Sequence, residues 1–340
     1  MGLTDSAFVR ACRGCNDGPI PVWIMRQAGR YLPEYRAVRE KVSFQELCRS
    51  PELITEVVKH PIARFDLDAA ILFSDILTML EPMGMQIDFP EGGPVLANPI
   101  ESPADVDRLR DIDVEKELSF VLAGIREIKR ALPDKPLIGF IGSPFTLASY
   151  MVQGSGSKNF ARAKRFLHEY PEASQKMFDL LADIAGRYLR AQIEAGADAV
   201  QVFESWGGVL SRRDYIDWSV KPINRIFGHV GDLQAPRILF VNNVAPYLDI
   251  VKEVDCEVIG VDYLIELAEA ARALPGKSVQ GNLDPSVLFG PADNVRAETK
   301  RILDSLDNHN RVIFNLGHGI EPETPIESVQ AMVDTVRAYR

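Results

Sequence analysis

The sequence predicts an α/β protein: a single (β/α)8 barrel with a hairpin-like excursion after the second strand. Three observations lead there. Eight short apolar runs are spread along the 340 residues. Most are followed by a stretch with helical periodicity. Each run is nearly continuous in hydrophobicity, which suits a parallel strand buried on both faces. Eight strand–helix pairs in about this length match the TIM-barrel plan, so residues 1–340 are read as one domain.

Taken in order, the runs are residues 21–25, 68–73, 137–141, 198–203, 237–241, 257–261, 278–281 and 311–315, each rich in Val, Ile, Leu or Phe. Helical stretches fall between them. Residues 51–65 open with Ser50 as N-cap and Pro51 at the first helical position. Residues 114–132 and 172–195 are longer and amphipathic, the second ending at Gly196. Further helices are read at 211–227, 246–254, 264–274, 291–306 and 327–339. Residues 83–100, with Gly84, Pro90, Gly92, Gly93, Pro94 and Pro99, form the excursion. Gly154-Ser155-Gly156-Ser157-Lys158 lacks the spacing of a phosphate loop and is read as a mobile active-site loop.

Composition narrows the function class. A hydrophobic content of 46% and a charged content of 25% are those of an ordinary soluble globular chain. The formal net charge of -10 argues against nucleic acid and anionic membranes as partners. No apolar run is long enough to span a bilayer, and the first residues lack the apolar core of a signal peptide. Met1-Gly2 with Ser6 fits a loose myristoylation pattern that arises readily by chance, and it is discounted. Cys12, Cys15, Cys48 and Cys256 complete no zinc set and read as reduced thiols, so a cytoplasmic location is expected.

In such a barrel the loops after the strands build the active site. The polar residues just past each run are therefore the candidates: Arg26 and Arg30; Ser74 and Asp75; residues 142–150 ending in Tyr150; Glu204 and Ser205; Asn242 and Asn243; Asp262; Asn282 and Asp284; and His318 between Gly317 and Gly319. Two arginines four residues apart, with Ala28-Gly29 between them, make a cationic hook suited to carboxylate or phosphate. The plain alternative is an exposed ion-pair face using Glu34, but Trp23, Met25, Tyr31 and Leu32 make the stretch too apolar for that. Asp75 lies between Phe73 and Ile76-Leu77, where an acid is either a helix N-cap or a fixed anion facing N–H donors or a developing cation. His318 could be a solvated loop histidine, and Tyr150 a core residue. No G-x-S-x-G surrounds Ser205, which argues against a serine hydrolase. Asp262, Asn282 and Asp284 read as rim hydrogen-bonding groups in preference to metal ligands.

Residues 21–36, Phe73-Ser74-Asp75-Ile76-Leu77, residues 142–151, Phe203-Glu204-Ser205-Trp206-Gly207-Gly208, Gly281-Asn282-Leu283-Asp284-Pro285 and Asn315-Leu316-Gly317-His318-Gly319 together resemble the uroporphyrinogen decarboxylase family. The resemblance runs in order to about Pro325. It implies a homodimeric (β/α)8 enzyme of haem and porphyrin biosynthesis. Such an enzyme converts the four acetates of uroporphyrinogen III to methyl groups, giving coproporphyrinogen III, with no metal and no organic cofactor. Carried over residue by residue, Asp75 would receive the pyrrole N–H groups. Arg26 and Arg30 would bind substrate carboxylates and handle protons. Tyr150, Ser205 and His318 would make further contacts, and the backbone around Gln27, Ala28 and Gly29 would help hold a carboxylate. The substrate's eight carboxylates call for local positive charge, expected from Arg26, Arg30 and Arg36 or Arg49. The rival readings are a zinc- or corrinoid-dependent methyltransferase of the same superfamily and a non-catalytic tetrapyrrole binder. Against the first, no cysteine lies two residues after a histidine. Against the second, a mere binder would tolerate loss of the central acid, and Asp75 is present.

Overall fold

Seven parallel strands pair in chain order around a curved sheet in the computed structural model, which describes residues 5–90 and 92–339. Met1 and Gly2 of the myristoylation pattern lie outside the described residues, as does Glu91 within the excursion. The strands are β1 (Ala70–Ile71), the excursion pair β2 (Ile87–Asp88) and β3 (Val95–Leu96), then β4 (Leu137–Gly142), β5 (Ala199–Glu204), β6 (Arg237–Val241), β7 (Val258–Val261), β8 (Ser278–Leu283) and β9 (Val312–Leu316). The main sheet runs β1-β4-β5-β6-β7-β8-β9, and β2 pairs antiparallel with β3. Nearly every residue of β4 to β9 is buried, the double burial that continuous apolar runs imply.

The first apolar run departs from expectation. Residues 21–25 make only a lone parallel bridge, Val22 to Phe314 of β9. Phe314 N–H donates to Pro21 O (2.8 Å) and Trp23 N–H to Phe314 O (3.3 Å), while on the other side Asp68 N–H donates to Val22 O (2.9 Å). The segment thus takes the eighth place between β9 and the approach to β1, without a strand's regular ladder. Pro21 has no N–H to give, and the chain turns back after Ile24, where Gln27 N–H meets Ile24 O at 2.9 Å.

Inside the ring, polar side chains are spent on one another. Trp23 Nε1–H donates to Gln280 Oε1 (2.9 Å), and Gln280 Nε2–H donates to Gln201 Oε1 (3.0 Å). This links the first segment, β8 and β5 across a filled interior, as barrels require.

The outer helices follow the apolar spacing. Helix Pro51–Phe65 buries Ile54, Val57, Val58, Ile62 and Phe65, and Ser50 caps it by accepting from Leu53 N–H. Each fully buried aliphatic or phenyl side chain contributes about 1.5–3 kcal/mol. The expected helix at 114–132 is two pieces, Val114–Glu117 and Ser119–Ala131, because Leu118 leaves helical geometry (φ -111°, ψ 21°). The expected loop at 142–150 is a second correction. After β4 the chain enters helix Pro144–Gln153 at once, capped by Ser143, and Tyr150 lies on that helix. Residues 154–158 are tied to the excursion: Ser155 bridges Val95, and Leu96 N–H donates to Gly154 O (2.7 Å).

Candidate active site

Because every main strand points the same way, residues at their carboxyl ends gather at one mouth of the barrel. Asp75 follows β1, Ser205 follows β5, and His318 lies two residues past β9.

Asp75 sits in the turn before the short 3-10 segment Thr78–Leu80. Its Oδ1 accepts Leu77 N–H (2.8 Å) and its backbone carbonyl accepts Thr78 Oγ1–H (2.7 Å). The capping use that the sequence offers for this acid is thus met. One oxygen builds the turn, and among the described residues Oδ2 has no partner. A small cavity beside the carboxylate is lined by apolar side chains such as Phe44, Leu77, Phe89 and Phe120 and also by the polar Gln45, Arg49, Thr78 and Glu81. Burial pushes its pKa up to about 6, against the Leu77 hydrogen bond and the Arg26 charge, which pull it down.

Arg26 is the electrostatic hub. Its charge also acts on His318, which burial first and Arg26 second push down to about 4, so the imidazole is neutral at neutral pH. It acts on Tyr150 as well, where burial raises the phenol and nearby Asp75 adds to the rise. Asp75, Tyr150 and His318 thus share one field. The Arg26 side chain is exposed and makes no ion pair among the described residues. Its backbone is left-handed, φ 65°.

Arg30 is likewise exposed and without an acidic partner among the described residues. The alternative of an Arg30–Glu34 face does not hold, since Glu34 pairs with Arg64. Arg36 and Arg49, the further cations expected here, both have partners. Arg36 Nη1 donates to the carbonyls of Arg30 (2.7 Å) and Tyr31 (3.0 Å), and Arg49 pairs with Glu81 at 2.5 Å. The Arg49 charge is thus paired, while Arg36 is held against neutral carbonyls.

Between the arginines, Gln27 is structural in its side chain and carbonyl. Oε1 accepts Ile24 N–H (3.1 Å), Nε2 donates to Ala69 O (3.2 Å), and its carbonyl accepts Tyr31 O–H (2.9 Å). The backbone N–H groups of Ala28, Gly29 and Arg30, by contrast, find no acceptor among the described residues. Three neighbouring free donors between two arginines make a ready cradle for a carboxylate.

Among the aromatic residues of the site, the ring of Tyr150 stands 6.2 Å from Trp206 and 6.1 Å from Phe160, and His318 packs edge-on to Phe240 at 6.3 Å. Ser205 N–H donates to Thr146 Oγ1 (2.9 Å), and its own hydroxyl has no partner among the described residues. Glu204 is fully buried and serves this wall from behind. It accepts from Thr146 Oγ1 (2.7 Å), Ser219 Oγ (2.6 Å) and Gly207 N–H (3.0 Å), and burial pushes its pKa up.

The remaining candidates brace the rim. Asp262 accepts Val244 N–H (2.8 Å) and Leu264 N–H (2.7 Å), Asn282 Nδ2 donates to Asp262 O (2.9 Å), and Asp284 caps Ser286 (2.9 Å). Ser74 Oγ meets Thr78 Oγ1 (3.2 Å), and Asn242 Nδ2 donates to Ser205 O (3.3 Å). All four cysteines are free. Sequence reasoning placed Thr146 within the candidate stretch 142–150 but gave it no role, and it ties the Tyr150 helix to the Ser205 turn; Asn315, quoted only as part of a motif, accepts Met25 N–H (2.9 Å). Asn315 did leave a signal: it is the one polar residue of an otherwise apolar strand, Val-Ile-Phe-Asn-Leu.

Among solved structures, a methyltransferase from Methanosarcina mazei superposes with a TM-score of 0.80 at 19% identity, covering 97% of this chain and 98% of that one. A B12-independent methionine synthase from Shewanella sp. W3-18-1 superposes with a TM-score of 0.56 at 11% identity, over 87% and 88%. At these identities the likeness is one of fold. Curated relatives are far nearer in sequence. Uroporphyrinogen decarboxylase of Citrifermentans bemidjiense is 46% identical over 333 residues, 98% of each chain. That of Syntrophotalea carbinolica is 47% identical over 334 residues, 98% of this chain and 97% of the relative. The family model described as uroporphyrinogen decarboxylase matches residues 3–339, and the chain belongs to that family.

Proposed function

We propose that the chain is a carboxy-lyase of porphyrin biosynthesis that removes carbon dioxide from the four acetate side chains of uroporphyrinogen III, giving coproporphyrinogen III. The observation that carries this reading is the convergence of Arg26, Asp75, Tyr150 and His318 in one electrostatic field, beside free backbone donors at 28–30.

The chemistry follows from the substrate. Breaking the bond from an acetate methylene to its carboxylate leaves an electron pair that needs a sink. Protonation of the pyrrole at the α ring carbon next to the one bearing the acetate supplies one, because the resulting cation shares its charge with the acetate-bearing carbon, which takes up the pair as an exocyclic double bond when carbon dioxide leaves. A second proton then converts the exocyclic methylene to a methyl group and restores the cation, which loses the ring-carbon proton gained first. Net, one proton replaces one carbon dioxide. In this reading the unpartnered Oδ2 of Asp75 accepts pyrrole N–H groups and holds the cation. A fixed carboxylate does this better than water, with each such contact worth on the order of 3 kcal/mol. Arg26, Arg30 and the 28–30 donors grip acetate and propionate carboxylates, and Tyr150, Ser205 and His318 line the remaining wall. Since His318 is neutral, it serves as a neutral hydrogen-bonding group, and the carboxylate-binding arginines are left as the proton-handling groups.

In the same reading the chain works as one domain, as a homodimer and in the cytoplasm. Sedimentation at micromolar concentration tests the dimer, and a single-chain mass refutes it. The activity is tested by anaerobic incubation with uroporphyrinogen, counting carboxylates on the tetrapyrroles by chromatography. Appearance of species with seven, six, five and four carboxylates is expected. Recovery of the eight-carboxylate species alone refutes the reading.

A further inference from the structure

We propose that Asn315 and Gly319 are positioning residues for Arg26: the end of β9 clamps the peptide before it, and the loop that follows leaves a slot for its side chain. The inference deepens the proposed function, because it concerns how one of that site's arginines is aimed.

The starting point is an arginine where glycine is the natural choice. Residues Ile24 to Gln27 form a turn closed by Gln27 N–H to Ile24 O (2.9 Å), and Arg26 occupies its third position at φ 65°. A positive φ there favours Gly or Asn. Strained residues of other types persist where their surroundings over-determine them, and they cluster at functional sites.

The surroundings do over-determine this one. Met25 N–H donates to Asn315 Oδ1 at 2.9 Å, and Ile320 N–H donates to Met25 O at 3.0 Å. Met25, the residue before Arg26, is therefore held at its N–H by Asn315 of β9 and at its carbonyl by Ile320 of the loop that follows. Asn315 is fully buried, and its Oδ1 also accepts Leu316 N–H at 2.7 Å. Replacing it with an apolar residue would leave a buried N–H of Met25 unpaired. Gly319 serves the side chain. A Cβ built there would collide with Arg26 Cδ and lie 2.8 Å from Nε. Any larger residue at 319 must push the guanidinium out of its place near Asp75 and His318.

The alternative is that Asn315 and Gly319 only help to close the barrel, with Arg26 indifferent to them. His318 separates the two, because Arg26 opposes its protonation. The experiment follows the His318 ring titration by NMR in the ligand-free full-length chain. It uses Gly319→Ala and Asn315→Ala, each made in the parent chain and in Arg26→Ala. Acting through Arg26, each substitution shifts the His318 midpoint upward in the parent and leaves it unmoved in Arg26→Ala. Equal shifts in both backgrounds, or no shift in the parent, overturn the proposal. Should Asn315→Ala not fold, Gly319→Ala alone decides. Turnover gives a second cycle. Gly319→Ala lowers kcat/KM by about 100-fold in the parent, as a misplaced contact group does, and adds little once Arg26 is gone. Additive losses overturn the proposal. The titration needs no substrate, so it stands even if the decarboxylase reading fails.

Discussion

Asp75 combines a cost to stability with a use in chemistry. Its proton is held more tightly in the folded chain, about 6 against an ordinary aspartate near 3.8, so folding stability falls as pH rises through that window. The loss is on the order of 3 kcal/mol at most, fully present above the upper value. Asp75→Asn keeps the acceptor for Leu77 N–H and removes the buried charge. It is expected to abolish turnover while unfolding no earlier than the parent at pH 8. A thermal melt and the chromatographic assay on one preparation check both halves, and near-normal turnover would sink the role given to the acid. The same ionisation sets the pH profile. If the working form is the carboxylate, kcat/KM falls about tenfold per pH unit below about 6. His318, pushed down to about 4, adds no limb near neutrality. Arg30 is exposed with no acidic partner among the described residues, so Arg30→Ala should move the melting temperature little and activity greatly. The reverse pattern would return it to a surface role. Asp75, Arg26 and Arg30 stand out in the sequence as candidates because an acid or a fixed cation set among apolar side chains needs a reason.

At the scale of elements, the helix Pro144–Gln153 and the turn after β5 act as one wall. Thr146 Oγ1 accepts Ser205 N–H and donates to Glu204, whose other oxygen accepts Ser219 Oγ–H. Removing that carboxylate strands several buried donors at once. Glu204→Ala is expected to cost about 3 kcal/mol or more, visible in a urea midpoint. Loss of activity with no loss of stability would place Glu204 in the chemistry and out of the frame. This wall was only half legible. The apolar run of β4 and the Glu-Ser pair after β5 were evident, but nothing local says that residues 144–153 are helical. Gly, Ser and Pro at 142–144 resemble a loop, and they turned out to be a strand end, an N-cap and a first helical residue. Arg36 and Arg49 show the converse. As sequence they are free cations, but folding hands each a partner that local periodicity cannot name.

For the whole molecule, an acidic chain must bind a polyanionic substrate through a local cationic patch. Long-range repulsion then opposes the short-range grip of Arg26 and Arg30. Added salt screens both, over a Debye length of about 10 Å at 0.1 M. Arg26 and Arg30 are exposed, so salt weakens their close pairs with carboxylates directly, and KM for uroporphyrinogen is expected to rise between low and moderate ionic strength with kcat nearly constant. A falling KM would show that overall charge dominates.

By itself the sequence determined the α/β class, the parallel order of the main strands and the mouth at which the chemistry-bearing residues gather. Burial pattern and chain direction are local properties, and a barrel of parallel strands puts every strand's carboxyl end on the same side. Only the tertiary structure decided how the ring closes. The first apolar run is held by a single bridge between β9 and the approach to β1, since Pro21 cannot donate and the chain turns after Ile24. That irregular closure is what brings Met25 against Asn315 and turns Arg26 into its left-handed conformation facing Asp75 and His318. These contacts join positions nearly three hundred residues apart, so no window of sequence contains them.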